Sequence, residues 1–328
     1  MMTSSLESVR SVAICLATYH RLSLLSKLLK SFSQMDIPEG VHLELRVVDN
    51  DEEGSAKKVV DAYRTGKTQP FQEIHYAVES RQNIAHARNA CLDMGISDVV
   101  IFVDDDEEVI PSWLEALWST FQTTEADAVL GPVYGRYSSD CPNYLARGRF
   151  FDKTTPPTGT QIDWKSTRTS NTLVAGTWFY DRNFRFDPAF GRSGGSDSNL
   201  FARMEKEGAR YVSCREAEVW EDVPSSRATI RWLTNRFYRN GIVFEQTVKI
   251  LPEAHPILRV SKRLLQGSCL MVAGALVGLV RQNWLMWTQG RMRWAIGCGG
   301  LVGWCRPSTQ FVEYDKKEAP LPFESQAA

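Results

Sequence analysis

The chain has 328 residues, of which 43% are hydrophobic and 23% charged. This composition is typical of a soluble globular protein and excludes disordered, collagenous and disulfide-stapled classes. The seven cysteines are odd in number and scattered, without a Cys-x-x-Cys pair. The sequence therefore predicts neither a disulfide framework nor a structural zinc site, and it favours a reducing, cytosolic setting.

Charge is distributed unevenly along the chain. Residues 1–222 carry 24 Lys and Arg against 33 Asp and Glu, whereas residues 223–312 carry 12 against 2 and hold five of the ten tryptophans. A basic, tryptophan-bearing region favours an anionic surface as its partner. We therefore expect a globular domain over residues 1–225, a basic helical region over 226–310 and a polar tail over 311–328.

Strand-like and helical patterns alternate through the first third of the chain. The apolar run 12–17 is too short for an export signal and predicts a buried strand. Further strands are predicted at 43–48, 74–78 and 99–103, and helices at 22–32, 55–63, 84–94 and 113–121. This alternation predicts an α/β fold with a mainly parallel twisted sheet and helices on both faces.

The next hundred residues give weaker signals. Residues 140–165 are rich in Pro, Gly, Thr and aromatic residues, so we expect loops that close over a substrate, with a plain connecting insertion as the alternative. A strand is predicted at 170–174, and a glycine- and serine-rich turn at 191–196. A helical pattern follows over 197–207, and Gly208 is its expected stop.

Polar residues follow each of the first four predicted strands. They are Thr18-Tyr-His-Arg21, Asp49-Asn-Asp51, Glu79-Ser-Arg81 and Asp104-Asp-Asp106. Ligands of open α/β sheets bind beyond the carboxyl ends of the strands, so these residues are candidates for a site. None of the four segments is followed by a G-x-G-x-x-G or G-x-x-x-x-G-K-[ST] sequence, which disfavours a dinucleotide-dependent dehydrogenase and a P-loop NTPase.

An acidic run over residues 104–108 directly follows the fourth strand. Carboxylate oxygens suit Mg²⁺ or Mn²⁺, which share phosphate oxygens with a substrate. Asp104 and Asp106 are one residue apart and can both face the crevice at the strand end. A solvated acidic turn is the alternative, and we expect Glu107 and Glu108 to cap the following helix.

Arg88 lies near the start of the predicted helix 84–94. It can reach an anion at the helix N-terminal end, where the helix dipole also favours negative charge. The alternative is an ordinary surface arginine.

Five segments occur in the order and spacing of a known family. They are Val12-Ala-Ile-Cys-Leu-Ala-Thr-Tyr-His-Arg21, Val47-Val-Asp-Asn-Asp51, Asn83-Ile-Ala-His-Ala-Arg-Asn-Ala-Cys-Leu-Asp93, Phe102-Val-Asp-Asp-Asp106 and Pro111-Ser-Trp-Leu114. Over residues 10–245 the chain resembles family 2 glycosyltransferases, and more narrowly the bacterial exopolysaccharide glucosyltransferases of the succinoglycan-biosynthesis type. The resemblance implies a GT-A fold, a UDP-sugar donor, Mg²⁺ or Mn²⁺ as cofactor, and inversion at the anomeric carbon.

The resemblance also implies a set of donor-binding residues. They are Thr18, Tyr19, Arg21, Asp49, Asn50, Arg88, Asp104, Asp105 and Asn171. In this set Thr18 and Tyr19 would line the nucleotide pocket. Asp49 or Asn50 would contact the uracil, and Asp104 would bind the ribose side. Arg88 would pair with the uracil or a phosphate, and Asn171 would lie near the donor sugar, with a structural turn asparagine as the alternative.

Three further carboxylates receive roles from the same resemblance. Asp106 would bind the metal that bridges the donor diphosphate, and Glu221 would be a metal or acceptor ligand. Gly194-Gly-Ser-Asp197 resembles the family's Gly-Gly-Glu-Asp segment, with Ser196 where glutamate is commoner. Asp197 would therefore be the catalytic base, and a helix N-cap is the alternative for this residue.

The carboxyl-terminal region combines basic and apolar segments. Residues 227–239 predict a basic amphipathic helix, which would bind a membrane surface or pack against the catalytic domain. Residues 264–280 form an uncharged run of 17, equivalent to about 26 Å of helix against a hydrocarbon core of about 30 Å. Crossing once would carry Arg281 and later arginines outward, against the positive-inside tendency. We therefore expect a re-entrant or interfacial helical pair, with a buried soluble hairpin as the alternative.

Together these features predict an inverting glycosyltransferase at the cytoplasmic face of the inner membrane. It would move a sugar, expected to be glucose, from a UDP-sugar to a polyprenyl-diphosphate-linked oligosaccharide. A nucleotidyltransferase is the first alternative, but its usual Gly/Arg/Lys-rich loop is missing after the first strand. A non-catalytic sugar- or lipid-binding scaffold is the second, suggested by Ser196. No nucleic-acid partner is expected, because the aromatic residues of the basic region accompany long uncharged stretches.

Overall fold

A computed structural model describes residues 11–192, 194–250 and 256–306 of the chain. Its first part alternates strands and helices as the sequence predicts. These elements are β1 (Ser11–Thr18), α1 (Leu22–Phe32), β2 (His42–Asp49), α2 (Lys57–Arg64), β3 (Glu73–Val78), α3 (Ile84–Asp93) and β4 (Val99–Asp104). Each boundary lies within two residues of its predicted position. The expected polar tail 311–328 lies outside the described residues.

The second part of the domain contains shorter elements, several of which the sequence did not indicate. They are β5 (Glu107–Val109), α4 (Trp113–Thr123), β6 (Ala128–Leu130), β7 (Val133–Tyr137), α5 (Asn143–Gly148), β8 (Gln161–Ile162), β9 (Thr172–Ala175), α6 (Thr177–Tyr180), α7 (Ser196–Lys206), β10 (Tyr211–Ser213) and β11 (Val219–Val223). The segment 140–165 is thus only partly loop, since it contains α5 and β8.

The main sheet has eight strands in the order β3-β2-β1-β4-β9-β6-β10-β8. Strands β1 to β4 are parallel to one another. Strand β9 runs antiparallel to both β4 and β6, and β8 runs antiparallel to β10. The α/β class is confirmed, and the sheet is parallel in its first half and mixed in its second.

Apolar layers cover both faces of this sheet, as the alternation of side chains along each strand requires. In β1, Ile14 and Leu16 point to the layer that includes Leu25 of α1 and Trp113 of α4. Cys15 points to the opposite layer, which contains residues of α3 and α7. The predicted placement of helices on both faces is confirmed.

A second sheet joins three short strands in the order β5-β11-β7. Strand β11 is antiparallel to β5, and Glu221 lies opposite Glu107 in their register. The expectation that Glu107 and Glu108 cap the next helix is wrong, because both residues belong to β5 and α4 begins only at Trp113. Glu107 is fully buried and Glu108 forms an ion pair with Arg136.

Three long helices follow the two sheets: α8 (Ile230–Val248), α9 (Pro256–Arg281) and α10 (Leu285–Cys305). Helix α10 lies between the other two and approaches both through glycines. A Cβ on Gly241 of α8 would lie 2.2 Å from the Ile296 carbonyl oxygen, and one on Gly274 of α9 would lie 2.2 Å from the Trp287 nitrogen. The predicted helical pair is present as α9 and α10.

Helix α8 connects this bundle to the part of the chain that contains the sheets. Its Phe244 stacks on Trp164 at a ring distance of 5.5 Å. Its buried Glu245 accepts two hydrogen bonds from Arg259 of α9, at 2.7 and 3.0 Å. Among the described residues, one helix, α9, is long and apolar enough to cross a membrane.

Candidate active site

The carboxyl ends of β1 and β4 meet at one edge of the sheet, where the acidic run begins. Thr18 Oγ1 donates a hydrogen bond to Asp105 Oδ2 at 2.8 Å, and Arg21 Nη1 donates to Asp105 Oδ1 at 3.0 Å. Burial raises the pKa of Asp105 to about 6, while the charge of Arg21 opposes this rise. Asp105 thus faces inward and fastens the acidic loop to the end of β1.

Asp106 shares the contact with Arg21 and is more accessible than Asp105. Its Oδ2 lies 3.1 Å from Arg21 Nη1 and 3.8 Å from Arg227 Nη1. Tyr19, also predicted for the donor site, follows β1 here and is half-buried, with its hydroxyl 2.5 Å from Gln82 Nε2. The structure therefore brings Tyr19, Arg21 and Asp106 to the same strand-end region, together with the positive charge of Arg227.

Arg88 links the acidic loop to the start of α7. Its Nη2 lies 3.2 Å from Asp104 Oδ1, and its Nη1 lies 3.4 Å from Ser196 Oγ. The guanidinium also stacks over the ring of Phe186 at 5.6 Å. Arg88 is therefore a largely buried cation at the site and not a free surface arginine, and the residue beside Ser196 is Asp197.

Asp197 lies in the first turn of α7 and is half-buried. The N-cap position belongs to Gly195, and the Asp197 carboxylate accepts a hydrogen bond from the Ser198 amide at 2.8 Å. The N-cap alternative therefore does not describe this residue. Gly195 has φ +91°, and a Cβ there would lie 2.1 Å from Val243 Cγ1 of α8, so both conformation and space require glycine.

Glu221 approaches the acidic loop from β11. Its pKa is raised mainly by burial and also by the charges of Asp106 and Asp104, whereas Lys153 and Arg236 lower it. Among the residues that the structure describes, no group of three His, Cys, Asp or Glu side chains is arranged to hold a metal ion. Mg²⁺ and Mn²⁺ sites on diphosphates need only one or two carboxylates, because substrate oxygens and water supply the rest. The crowding of negative charge around Asp106 and Glu221 fits such an ion.

Two predicted base-contacting residues have interior partners instead. Asp49 is fully buried and accepts hydrogen bonds from the Ala56 amide at 2.7 Å and the Tyr76 hydroxyl at 2.9 Å. Asn50 is also fully buried, and its amide donates to the carbonyls of Glu79 and Arg81 at 2.6 and 2.9 Å. Asp49 thus holds the loop after β2 against β3, and Asn50 binds the loop after β3, so the structure does not bring them to an open base pocket.

Asn171 is likewise committed to the interior. Its Oδ1 accepts from Trp113 Nε1 at 2.7 Å, and its Nδ2 donates to the carbonyls of Pro132 and Ala217 at 2.8 and 2.7 Å. It is fully buried, with φ 55°. The structure therefore supports the alternative of a structural turn asparagine, because no side-chain group of Asn171 remains to meet a donor sugar.

Sequence reasoning missed several charged residues around the site. Buried Glu107 accepts a hydrogen bond from the Asp104 amide at 2.9 Å, and burial raises its pKa well above the ordinary value. Burial lowers the pKa of Arg168 to about 10, although the charges of nearby carboxylates, including Asp197, oppose this. Arg227 had been assigned only to the basic helix. Their positions depend on tertiary contacts, so the local sequence carries no signal for them.

Comparison with known proteins identifies relatives of this chain. Residues 13–184 match the family model described as "Glycosyl transferase family 2". The chain is 36% identical over 230 residues to "Succinoglycan biosynthesis protein ExoM" of Rhizobium meliloti (strain 1021), which covers 70% of this chain and 72% of that protein.

Solved structures extend the comparison at the level of the fold. The mannosyltransferase PcManGT from Pyrobaculum calidifontis, solved with GDP-Man and Mn²⁺, superposes with a TM-score of 0.55 and 18% identity over 88% of this chain and 87% of that one. S. aureus TarS 1-349 in complex with UDP-GlcNAc superposes with a TM-score of 0.51. The two chains are 13% identical, and the match covers 89% of this chain and 91% of that one. The chain spans 55% of a longer S. aureus TarS chain, with a TM-score of 0.52 and 13% identity. At these identities the similarity concerns the fold.

Proposed function

Because the chain belongs to glycosyltransferase family 2, we propose that it moves a sugar from a UDP-sugar to a lipid-linked oligosaccharide in exopolysaccharide biosynthesis, with inversion at the anomeric carbon. The name of the R. meliloti relative supports the exopolysaccharide role. The UDP-GlcNAc bound by TarS supports a nucleotide-sugar donor. Glucose is the sugar we propose, and family membership favours transfer over the nucleotidyltransferase alternative.

The observation that carries this proposal is the position of Arg88 between the two halves of the site. On one side it pairs with Asp104 in the acidic loop, and on the other it contacts Ser196, which precedes Asp197. Arg88 therefore links the carboxylates of the acidic loop to the helix start that carries Asp197. Retention of both Asp106 and Asp197 argues against a non-catalytic scaffold.

On the donor side, Asp106 and Glu221 would hold Mg²⁺ or Mn²⁺. When bound, the ion neutralises charge on the diphosphate and stabilises the departing UDP. Arg21 and Arg88 add positive charge beside this position, and Arg21 would exchange its contact with Asp106 for a phosphate oxygen. Support for a divalent ion includes the Mn²⁺ in the PcManGT structure.

We propose two groups of residues at the nucleotide pocket: those that contact the nucleotide and those that hold the surrounding loops in place. Tyr19 and Asp104 would line the pocket, with Asp104 on the ribose side, and buried Thr18 would hold Asp105 in place through its hydroxyl. Asp105, Asp49, Asn50 and Asn171 would shape it by holding its loops, since their side chains have interior partners.

On the acceptor side, Asp197 would accept the proton of the attacking hydroxyl. The acceptor oxygen then forms a bond to the anomeric carbon as the bond to the diphosphate oxygen breaks, and that oxygen keeps the electron pair in the UDP product. General-base assistance of this kind contributes about 10²- to 10⁴-fold. The half-buried position of Asp197 in the first turn of α7 leaves its second oxygen for this task.

Attachment to the membrane is assigned to the carboxyl-terminal helices. We treat residues 1–225 as the catalytic domain, 226–310 as the membrane-associated region and 311–328 as a polar tail. Exposed Leu265, Val272 and Leu279 of α9 support insertion into a bilayer surface. Helix α10 packs along α8, which is joined to the catalytic part, so a peripheral or re-entrant position at the cytoplasmic face fits better than a full crossing.

A panel of radiolabelled nucleotide sugars tests the proposal. Membranes that contain the full chain are incubated with each donor, with and without a chelator, and the organic-extractable lipid fraction is counted. We expect label from UDP-glucose in this fraction, lost with the chelator and absent from membranes that lack the protein. Label transferred at full rate in the chelator would contradict the metal assignment, and no turnover of any donor would contradict the proposed activity.

A further inference from the structure

A groove of about 350 Å³ lies where the turn between α9 and α10 meets α5 and the start of α8. It is lined by Tyr144, Ile230, Trp284 and Trp287. The two tryptophan rings meet edge to face, with their centroids 6.3 Å apart. All four lining side chains are aromatic or aliphatic, so the groove suits an apolar ligand.

The groove adjoins the chain segment that carries Arg227. Ile230 follows Arg227 by three residues, so their Cα atoms are at most about 11 Å apart. Arg227 in turn reaches to 3.8 Å from Asp106. A ligand held in the groove could therefore extend a polar end toward the cleft between Asp106 and Asp197.

The helices α8, α9 and α10 bring mainly positive charge to the groove. Arg291 stacks over Trp287 at 5.4 Å, and Arg227 and Arg236 stack over Trp232 at 5.8 and 5.3 Å. The sequences of α8, α9 and α10 contain a single acidic residue, which is Glu245, buried and paired with Arg259 in α9. An apolar groove beside an excess of positive charge favours an apolar ligand that carries an anionic group.

An exposed apolar surface leads to the groove from α9. Leu276, Leu279 and Val280 are 63%, 73% and 82% exposed and occupy the last turns of α9, just before the turn that carries Trp284. A long apolar chain could therefore pass from a bilayer along this end of α9 into the groove.

We propose that the groove binds the first isoprenoid units of the polyprenyl carrier of the acceptor, with the flanking arginines on its diphosphate. This inference rests on the proposed transfer to a lipid-linked acceptor. Flat aromatic walls pack well against the planar double bonds of isoprenoid units. Saturated acyl chains have no such double bonds, so the groove suits an isoprenoid better. The positive charge of the arginines complements the negative charge of the diphosphate. The contact of Arg227 with Asp106 places this charge beside the site to which the carrier must present its sugar.

Photolabelling of the full chain tests the location of the isoprenoid. The probe is a farnesyl diphosphate analogue with a benzophenone in its second unit, added to protein in vesicles of phosphatidylethanolamine and phosphatidylglycerol. Trypsin separates the groove tryptophans on peptide 282–291 from the exposed face of α9 on peptide 264–281. We expect label on 282–291 that unlabelled undecaprenyl phosphate removes and added phosphatidylglycerol does not. Label confined to 264–281, or removed by phosphatidylglycerol, would overturn the proposal in favour of general bilayer contact.

Substitution of Trp284 tests the role of the groove in transfer. Loss of an aromatic contact surface should raise KM for the lipid-linked acceptor roughly tenfold or more in Trp284→Ala. Slow hydrolysis of UDP-glucose without acceptor should be unchanged, and Trp284→Phe should restore most of the acceptor affinity. Trp304→Ala, an exposed tryptophan of α10 outside the groove, is the matched control.

The outcomes separate this inference from the proposed activity. An unchanged KM for the acceptor in Trp284→Ala would overturn the groove assignment, and so would an equal rise of this KM in Trp304→Ala. In either case, transfer by the unmodified chain would still support the proposed function. If the unmodified chain transferred no sugar, the proposed function would fail, and the photolabelling would still decide whether the groove binds an isoprenoid.

Discussion

Asp105 and Asp106 are adjacent in the chain but differ in burial. Both lie in the turn between β4 and β5, and both carboxylates contact Arg21 Nη1, at 3.0 Å from Asp105 and 3.1 Å from Asp106. Asp105 also accepts a hydrogen bond from Thr18 and is buried, whereas Asp106 is more accessible and lies 3.8 Å from Arg227. The sequence indicates the acidic cluster, but which of its carboxylates is buried depends on tertiary contacts at the end of β1.

The raised pKa of Asp105 predicts a pH dependence of folding. In the unfolded chain its pKa is near 3.8 and in the folded protein about 6, so between these values the folded state holds more protons. The free energy of unfolding should therefore fall as pH rises from about 4 to about 6. At 1.36 kcal/mol for each pKa unit, the total is roughly 3 kcal/mol.

Denaturant unfolding of Asp105→Asn in metal-free buffer checks this dependence. The variant cannot ionise at this position, so its stability relative to the unmodified protein should increase between pH 4 and 6.5 and then level off. A stability difference that stays flat, or decreases as pH rises, would contradict the inward, desolvated position of Asp105.

The roles of single polar residues are hard to predict from sequence, as three interior side chains show: Asp49, Asn50 and Asn171. The sequence indicates polar residues after strands, but buried loop backbone also needs hydrogen-bond partners. Asn50 bonds the carbonyls of Glu79 and Arg81, about 30 positions further along, which no local pattern encodes. Arg88 and Asp106, by contrast, contact charged residues of the acidic loop and its surroundings.

At the scale of elements, prediction succeeds where the local pattern is long. Strands β1 to β4 and helices α1 to α4 have clear apolar periodicity and appear within two residues of expectation. Strands β5 and β11 are three and five residues long and include four acidic residues, so their strand conformation depends on pairing with each other and with β7. This pairing also brings Glu221 to the acidic loop.

The start of α7 depends on Gly195, which gives an element-scale prediction. Gly195→Ala would meet both a positive φ and Val243, whereas Gly208→Ala meets a similar φ of +92° in open space. The positive φ costs about 1–2 kcal/mol in each variant, and overpacking adds roughly 1–3 kcal/mol at Gly195 only. Turnover should also fall in Gly195→Ala, because Asp197 is two residues away.

Denaturant unfolding of both variants checks this comparison. Val243→Ala in the same chain as Gly195→Ala should recover the part of the loss that comes from overlap. Equal destabilisation of the two alanine variants would show that contact with α8 is unimportant for the start of α7.

At the scale of the whole molecule, α8 joins two regions of different charge. The basic region is held to the catalytic part by Phe244 on Trp164, while Glu245 binds Arg259 of α9. The sequence indicates the basic character and the apolar runs of this region. It could not indicate that α10 lies between α8 and α9, because this depends on glycine contacts such as Gly299 against the Tyr238 carbonyl.

This arrangement predicts a two-part attachment to membranes. Each Lys or Arg near an anionic surface contributes about 1 kcal/mol, and salt screens this part. Apolar insertion of α9 is insensitive to salt, so high salt should release only part of the full-length protein from membranes and detergent should release the rest. Val272→Glu, at a side chain that is 67% exposed, should weaken the salt-resistant part without changing the free energy of unfolding.

Sedimentation of membranes after each wash measures this attachment. Protein that is wholly soluble in low salt without detergent would contradict it. A reporter fused after Ala328 should read as cytoplasmic, and a periplasmic reading would favour a true single span.

The central claim is that Asp106 serves donor binding and Asp197 serves proton transfer within one cleft. It is tested most directly by measuring UDP-glucose affinity and transfer rate together in Asp106→Asn and Asp197→Asn, with Mn²⁺ present. The account predicts that Asp106→Asn loses donor affinity, whereas Asp197→Asn keeps it and loses about 10²- to 10⁴-fold in turnover. Equal loss of donor affinity in the two variants, or unchanged turnover in Asp197→Asn, would contradict it.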